Sequence, residues 1–424
     1  MSVVLSREDS AMLDGRHGLA VQEAMSVIVQ MAEATGANEL EAVQQAHIDA
    51  CALMAPSNLD FVSRIVEQAG RVAVPTTLNM VALDLEHWED LQVSPSFAKE
   101  AKRIADAYLQ LGCIPTWTCA PYQGYLTPRY GQQVAWGESN AVVYANSVLG
   151  ARTNRYADYM DVCAAITGRV PSTGLHRTEN RRGEILVRTP AVRANEWDDT
   201  ASWAVLGHLI GQRLGSRIPV LEGLPASAST DQLKALGAAA ASAGALAMFH
   251  AVGITPEAPD LSTAFHGRSI PETLDVSRGT MRSAWEELSQ AVTGEAVDSI
   301  VLGCPHFSYG EFRQLAEAIH TEKSTAHENV QVLILTSSTS FALAQRGGLI
   351  HPIRRFGATI AFDTCPFHSP VVAKDARVLM TNSGKAAYYA PGELGVRVAF
   401  ASLADCVRSA ASGRVQMEGT PWSE

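Results

Sequence analysis

The chain has 424 residues, too many for one ordinary domain, and its 47% hydrophobic and 18% charged residues can fill large cores. A formal charge of -11 repels polyanions, which argues against nucleic acid and anionic membranes as partners. The N-terminal MSVVLSREDSAM has neither the basic segment nor the apolar core of a signal peptide, and no stretch reads as a membrane span. Seven scattered cysteines, an odd number, argue against a disulfide framework. Reduced thiols or metal ligands, in a cytoplasmic protein, are the expectation.

The first segment predicts a helix. Ser6 and Asp9 resemble a capping box, Val21, Met25, Ile28 and Met31/Ala32 recur at helical spacing, and Gly36 closes the run. Residues 72–79 (VAVPTTLN) predict a strand entering a polar loop. From Cys113 to Arg155, proline, glycine, aromatic, amide and charged residues crowd together. That mixture predicts a folded site loop that runs into a helix near Ser139 to Leu149 and ends on Arg152-Thr153-Asn154-Arg155.

After Trp197 the pattern becomes a regular α/β alternation. Helices are expected at Ala204–Leu214 and from Ser229 or Thr230 through Ala241. Strands are expected at Arg217–Leu221, Ala245–His250, Val297–Leu302, Val330–Leu335, Thr359–Phe362 and Val378–Met380. Ser308 and Glu311 read as a capping box for a helix ending near His320. The fold class expected is α/β, with parallel sheets flanked by helices. Residues 1–195 would form an N-terminal α/β region carrying the site loop 113–155. Residues 196–424 would form a C-terminal α/β region of two βα sub-domains.

Ligands in such sheets gather outside the carboxyl ends of strands. Cys304, Cys365 and Lys385 each follow a predicted strand, so they could converge at one edge. Cys119 (TCAPY), Cys304 (GCPH) and Cys365 (DTCP) share a second trait, a proline one or two positions on, which holds the backbone out of continuous helix. Cys51, Cys113, Cys163 and Cys406 lack this setting. Buried core cysteines are common, and no paired C-x-x-C signature is present, so spacing alone favours packing over metal binding. TNSGK lacks the full nucleotide P-loop pattern, and Lys385 reads equally as a cation for an anionic ligand or as a solvated lysine. His306 and Glu311 invite acid–base roles, although Glu311 already has one in its capping box, and His47 fits a core histidine as well as a site residue.

Four segments, TCAPY, AWGESNAVVYANSVLGARTNR, GCPHFS and TNSGKAAYYAPG, strongly resemble the aconitase X family, and VPTTLN and AHID also fit. The likeness runs from the first helix to near residue 400. It implies an aconitase-like, multidomain α/β large subunit and a lyase that removes water from a small hydroxylated carboxylic acid. It implies that Cys119, Cys304 and Cys365 hold an iron–sulfur cluster, whether 2Fe-2S, 3Fe-4S or 4Fe-4S. Lys385 and Ser383 are expected as catalytic residues. Ala50, Cys51, Ala52, Asn79 and Lys385 fall at substrate-contacting positions, with Glu138, Ser139, Arg152 and Arg155 in a polar network. The small swivelling domain of such enzymes finds no segment here and is expected as a separate subunit carrying a serine. Cis-3-hydroxy-L-proline and 5-phosphomevalonate are the two substrates that the family implies. The Ala50-Cys51-Ala52 segment lacks the small hydroxyl-bearing loop suited to a phosphate and tilts the expectation to hydroxyproline. A different class of reading is a non-catalytic scaffold stabilised by zinc, with His306 or His368 as fourth ligand. A third is an inactive paralogue that keeps the fold.

Overall fold

A computed structural model describes residues 3–91, 93–156, 158–190, 194–419 and 422. The N-terminal capping box forms as expected, with Ser6 and Asp9 satisfying each other's backbone N–H groups at the head of the helix Arg7–Leu13. The expected single helix is two, because the chain turns at residues 14–18 before the helix Leu19–Thr35, which Gly36 closes in the left-handed region.

Among the described residues, fourteen strands follow in chain order. Five belong to the N-terminal part: β1 (Leu40–Ala42), β2 (Ala46–Ile48), β3 (Thr76–Leu78), β4 (Ala135–Trp136) and β5 (Arg169–Pro171). β3, β2 and β4 form a parallel three-stranded sheet in that order, while β1 and β5 pair antiparallel. The next four are β6 (Ile185–Arg188), β7 (Pro219–Glu222), β8 (His250–Ala251) and β9 (Thr273–Asp275), which make a parallel sheet ordered β8-β7-β6-β9. The last five are β10 (Ser299–Phe307), β11 (Gln331–Thr336), β12 (Ala358–Phe362), β13 (Val378–Thr381) and β14 (Arg397–Phe400), ordered β12-β11-β10-β13-β14 and again parallel.

The multidomain α/β expectation therefore holds, and the strands expected after Trp197 fall close to their places, while β9 and β14 were not expected. Two are shorter. The strand expected over 72–79 shrinks to β3, and the one expected at Ala245–His250 shrinks to β8, since Ala245 is the left-handed cap of the preceding helix. β10 is buried at every position, as suits a central parallel strand covered on both faces.

The helices Thr200–Leu214 and Thr230–Gly244 pack so closely that Gly207 sits against the Leu236 carbonyl. A Cβ on Gly207 would lie 2.2 Å from that oxygen. No described helix is long and apolar enough to cross a membrane. Alanine at Gly207 would gain about 1 kcal/mol of helix propensity. Overpacking costs about 1–3 kcal/mol and here involves rigid backbone, so the clash wins. Gly207→Ala should therefore lower the midpoint of urea unfolding rather than raise it.

Candidate active site

Two of the parallel sheets aim their carboxyl ends at one cavity of ≈ 300 Å³. The N-terminal sheet contributes the residues just beyond its strands: Asp49 after β2, Asn79 after β3 and Glu138 two residues after β4. The C-terminal sheet contributes Cys304 from β10, Cys365 after β12 and Lys385 after β13. Cys119 joins them from the long loop between the helix Pro95–Gln110 and β4. This is the strand-end convergence that the α/β alternation suggested, with a second sheet added.

Local backbone irregularity delivers Cys304 and His306. β10 pairs with β11 in step up to Leu302↔Ile334 and next at Phe307↔Thr336, so β10 advances five residues while β11 advances two. The excess bulges out as Gly303-Cys304-Pro305-His306, with a cis peptide at Cys304–Pro305. Gly303 has φ 94°, and a Cβ there would lie 2.1 Å from the Leu335 carbonyl, so glycine is required. His306 then locks the bulge to its surroundings. Its backbone N–H points at the Cys119 sulfur at 3.3 Å, Nδ1 meets Thr118 Oγ1 at 3.0 Å, and Nε2 meets the Thr364 carbonyl at 2.9 Å. Burial lowers its pKa to about 4, so the ring is neutral. Beside β12, Phe362 N–H bonds Asp84 Oδ2 at 3.1 Å and Val81 N–H bonds the Asp363 carbonyl at 2.9 Å, which fastens the loop after β3 to the C-terminal sheet.

The electrostatic centre is Lys385. Its Nζ lies 2.6 Å from Glu138 Oε1 and 3.3 Å from Ser139 Oγ. Burial opposes the ammonium charge. Glu138 and the sulfurs of Cys304 and Cys119 more than offset it and hold the Lys385 pKa well above the usual lysine range. Among the described residues no such cation pairs with Asp49. Burial pushes its carboxyl up to about 8, reinforced by the like charges of Glu138, Asp161 and Asp158, while the Asn79 amide N–H relieves part of this. Asp161, behind it, accepts the Asp49 backbone N–H at 2.6 Å and is pushed by burial to about 7.

Of the residues singled out in the sequence, Asn79, Cys119, Glu138, Ser139, Cys304, Cys365 and Lys385 all line the cavity, as do Arg155, His306 and His368. Four do not. Ala50, Cys51 and Ala52 are buried in the turn behind Asp49, where the Cys51 thiol bonds the Asn79 carbonyl at 3.1 Å. Arg152 points away and donates to the His176 carbonyl at 3.1 Å. Ser383 is corrected in role. Its hydroxyl caps the helix Gly384–Leu394 by accepting Ala386 N–H at 3.0 Å, and it donates to the Cys304 carbonyl, so it shapes the cysteine loop from behind. Glu311 is consumed by its capping box and by buried Lys234, and His47 by Thr77. Asp49 itself, with Tyr389 and Glu393, was missed. The available signal for Asp49 was its place directly after a buried strand.

Two measurements probe this electrostatics. Glu138→Gln alone leaves the Lys385 ammonium buried without its partner and should cost about 3–5 kcal/mol in chemical unfolding, whereas adding Lys385→Met should recover most of it. The second concerns pH. In the fold Asp49 and Asp161 keep protons up to about 8 and 7, whereas unfolded they release them near 3.8. Their contribution therefore becomes more destabilising as pH rises from the unfolded toward the folded values, and it stays at its full size above them. Asp49→Asn should melt higher than the parent at about pH 9 and differ little at about pH 4, and an equal gap at both would contradict this assignment.

Comparison with known proteins agrees with this architecture. Residues 2–179 match the aconitase X first domain, 183–286 the second and 297–412 the third. The chain is 43% identical over 410 residues to a cis-3-hydroxy-L-proline dehydratase of Pseudomonas aeruginosa, covering 96% of this chain and 70% of that one. It is 34% identical to the phosphomevalonate dehydratase large subunit of Methanothermobacter thermautotrophicus, covering 96% and 98%. The crystal structure of Thermococcus kodakaraensis aconitase X in its holo-form superposes with a TM-score of 0.86 at 30% identity, covering 96% of this chain and 100% of that one. The chain thus belongs to the aconitase X family and is a hydro-lyase of the aconitase-like superfamily.

Proposed function

We propose that the chain is the cluster-bearing large part of a cytoplasmic dehydratase that removes water from cis-3-hydroxy-L-proline. The observation that carries this reading is that three cysteines line the same cavity as a lysine–carboxylate pair. Soft thiolates suit an iron–sulfur cluster. As free thiols these three are protonated: burial raises Cys304 to about 11, Cys365 to about 12 and Cys119 well above the usual range. Metal binding displaces such protons.

Once bound, a cluster would supply a Lewis-acidic iron toward the departing hydroxyl. The chain's own residues do the rest of the work on this side of the site. Lys385 lies where it can hold a substrate carboxylate and the negative charge that grows on it as the neighbouring proton leaves. Glu138 fixes the ammonium's position, and Arg155 is a second cation lining the same cavity. A base is still required, and a small partner subunit that closes the cavity and brings a serine would supply it. The match to 98% of a protein named a large subunit, and to 70% of a longer dehydratase, supports such a partner.

The higher identity to the hydroxyproline dehydratases favours that substrate, while the full-length match to large subunits favours 5-phosphomevalonate as the second reading. The test is turnover of both acids by the chain reconstituted anaerobically with iron, sulfide and a co-expressed small partner. Brown protein and release of water from hydroxyproline are expected. Cys119→Ser, Cys304→Ser and Cys365→Ser should each bleach the visible absorption and cut turnover on the order of a thousandfold. Full colour in all three variants would defeat the ligand assignment.

A further inference from the structure

The cavity wall carries three carboxylates, Asp49, Glu138 and Glu393, against two permanent cations, Lys385 and Arg155. Glu138 is neutralised by Lys385 at 2.6 Å. Asp49 has like charges on every named side, Glu138, Asp161 and Asp158, and its one side-chain hydrogen-bond partner is the uncharged Asn79 amide. A half-buried carboxylate set among like charges is costly, and the cost is met by a cation beside it or by holding a proton.

A second, independent feature lies next to it. Asn79 is 1% exposed and lines the cavity, and its Oδ1 has no donor among the described residues. The amide cannot profitably turn round, because its N–H already serves Asp49. The wall thus offers the Asp49 carboxyl, which holds a proton in the empty cavity and can give it up to a cation beside it, next to the unpartnered Asn79 amide oxygen. A secondary ammonium has one positive charge and two N–H donors, which is the complementary set.

We infer that Asp49 and Asn79 form the subsite that holds the ring ammonium of the substrate, and that this subsite selects imino acids over phosphorylated acids. The inference rests on the hydroxyproline reading above and names the groups that enforce it. The ligand's charge does for Asp49 what Lys385 does for Glu138. A zwitterion then spans the cavity with its carboxylate toward Lys385 and Arg155 and its ammonium toward Asp49. A phosphate placed on the same wall would add to the like charges of Glu138, Asp161 and Asp158 and would bring Asp49 no counter-ion.

The experiment measures binding, by calorimetry on the assembled enzyme, of L-proline and of cyclopentanecarboxylate, which has the same ring and acid without the nitrogen. The parent enzyme should prefer L-proline by about 10- to 100-fold, the worth of a charge-assisted hydrogen bond. Asp49→Asn should bring the two affinities together while leaving that for cyclopentanecarboxylate in place, and Asp49→Ser serves if the first variant folds poorly. Equal affinities in the parent, no measurable proline binding, or an undiminished preference in a folded variant would each overturn the subsite. Turnover in the parent separates the two claims. Dehydration of hydroxyproline together with an unchanged preference in Asp49→Asn rejects the subsite alone, whereas dehydration of phosphomevalonate only rejects the functional reading as well.

Discussion

The ion pair between Lys385 and Glu138 holds the site together, because its two members come from different sheets. From Glu138 the connection runs to Asn140, whose amide N–H donates to a Glu138 oxygen and, at 2.9 Å, to the Cys119 carbonyl. Asn140 in turn accepts the Tyr122 hydroxyl at 2.6 Å, and Tyr122 stacks on Tyr144 with centroids 3.7 Å apart. From the Lys385 side it runs through Ser383, next but one in the chain, to the Cys304 carbonyl. One buried charge pair therefore sets the relative position of two cysteine loops that are 185 residues apart in sequence. A buried pair of this kind is weak evidence for stability, since a matched apolar pair would do as well. Its better-supported contribution is registry between the two sheets.

The helix ends show the same priority. Glu138 caps the helix Ser139–Ser147 by accepting the Ala141 N–H at 2.7 Å, which is where a carboxylate is favoured by unpaired N–H groups and the helix dipole. Lys385 lies in the first turn of the helix Gly384–Leu394, where a cation is disfavoured by about 0.3–1 kcal/mol. Local helix rules alone would not put a lysine there. Glu138 offsets the misfit, and the outcome is an ammonium directed into the cavity beside three sulfurs. Departures from local preference of this sort mark functional positions.

Much of the scaffold was legible because strand alternation and capping are local. The Ser6/Asp9 and Ser308/Glu311 boxes formed as read, and the core strands of the C-terminal sheet fell within two residues of expectation at their starts. The cysteine loops stood out through their prolines. What stayed hidden depends on distant partners. Asp49 is an ordinary aspartate until Asp161, 112 residues later, is packed against its backbone and Glu138 is brought alongside. The substrate-contacting role expected for Ala50, Cys51 and Ala52 missed the wall narrowly: β2 ends at Ile48, so Asp49 is the residue at the strand end and the next three turn inward. The resemblance implied a catalytic Ser383, but at the helix N-cap its hydroxyl is drawn to Ala386 N–H and the Cys304 carbonyl. Arg152 and Arg155 share a polar run, and only the turn of the backbone between them decides which reaches the cavity.

The two walls differ in chemistry as well as origin. The C-terminal sheet supplies Cys304, Cys365 and the ammonium of Lys385, while the N-terminal sheet supplies Asp49, Asn79 and Glu138. Such a division lets each wall answer to a different part of a ligand. The sulfur side suits a metal centre and an anionic group, and the carboxylate side suits a group that donates hydrogen bonds and carries positive charge. It also explains why the fold tolerates the unfavourable burial of Asp49 and Asp161. Removing that acid cluster would relieve the fold and leave the N-terminal wall with Glu138, already spent on Lys385, as its remaining lining carboxylate. The instability of the empty wall is thus tied to its capacity to discriminate among ligands, a trade between stability and specificity set by one strand end.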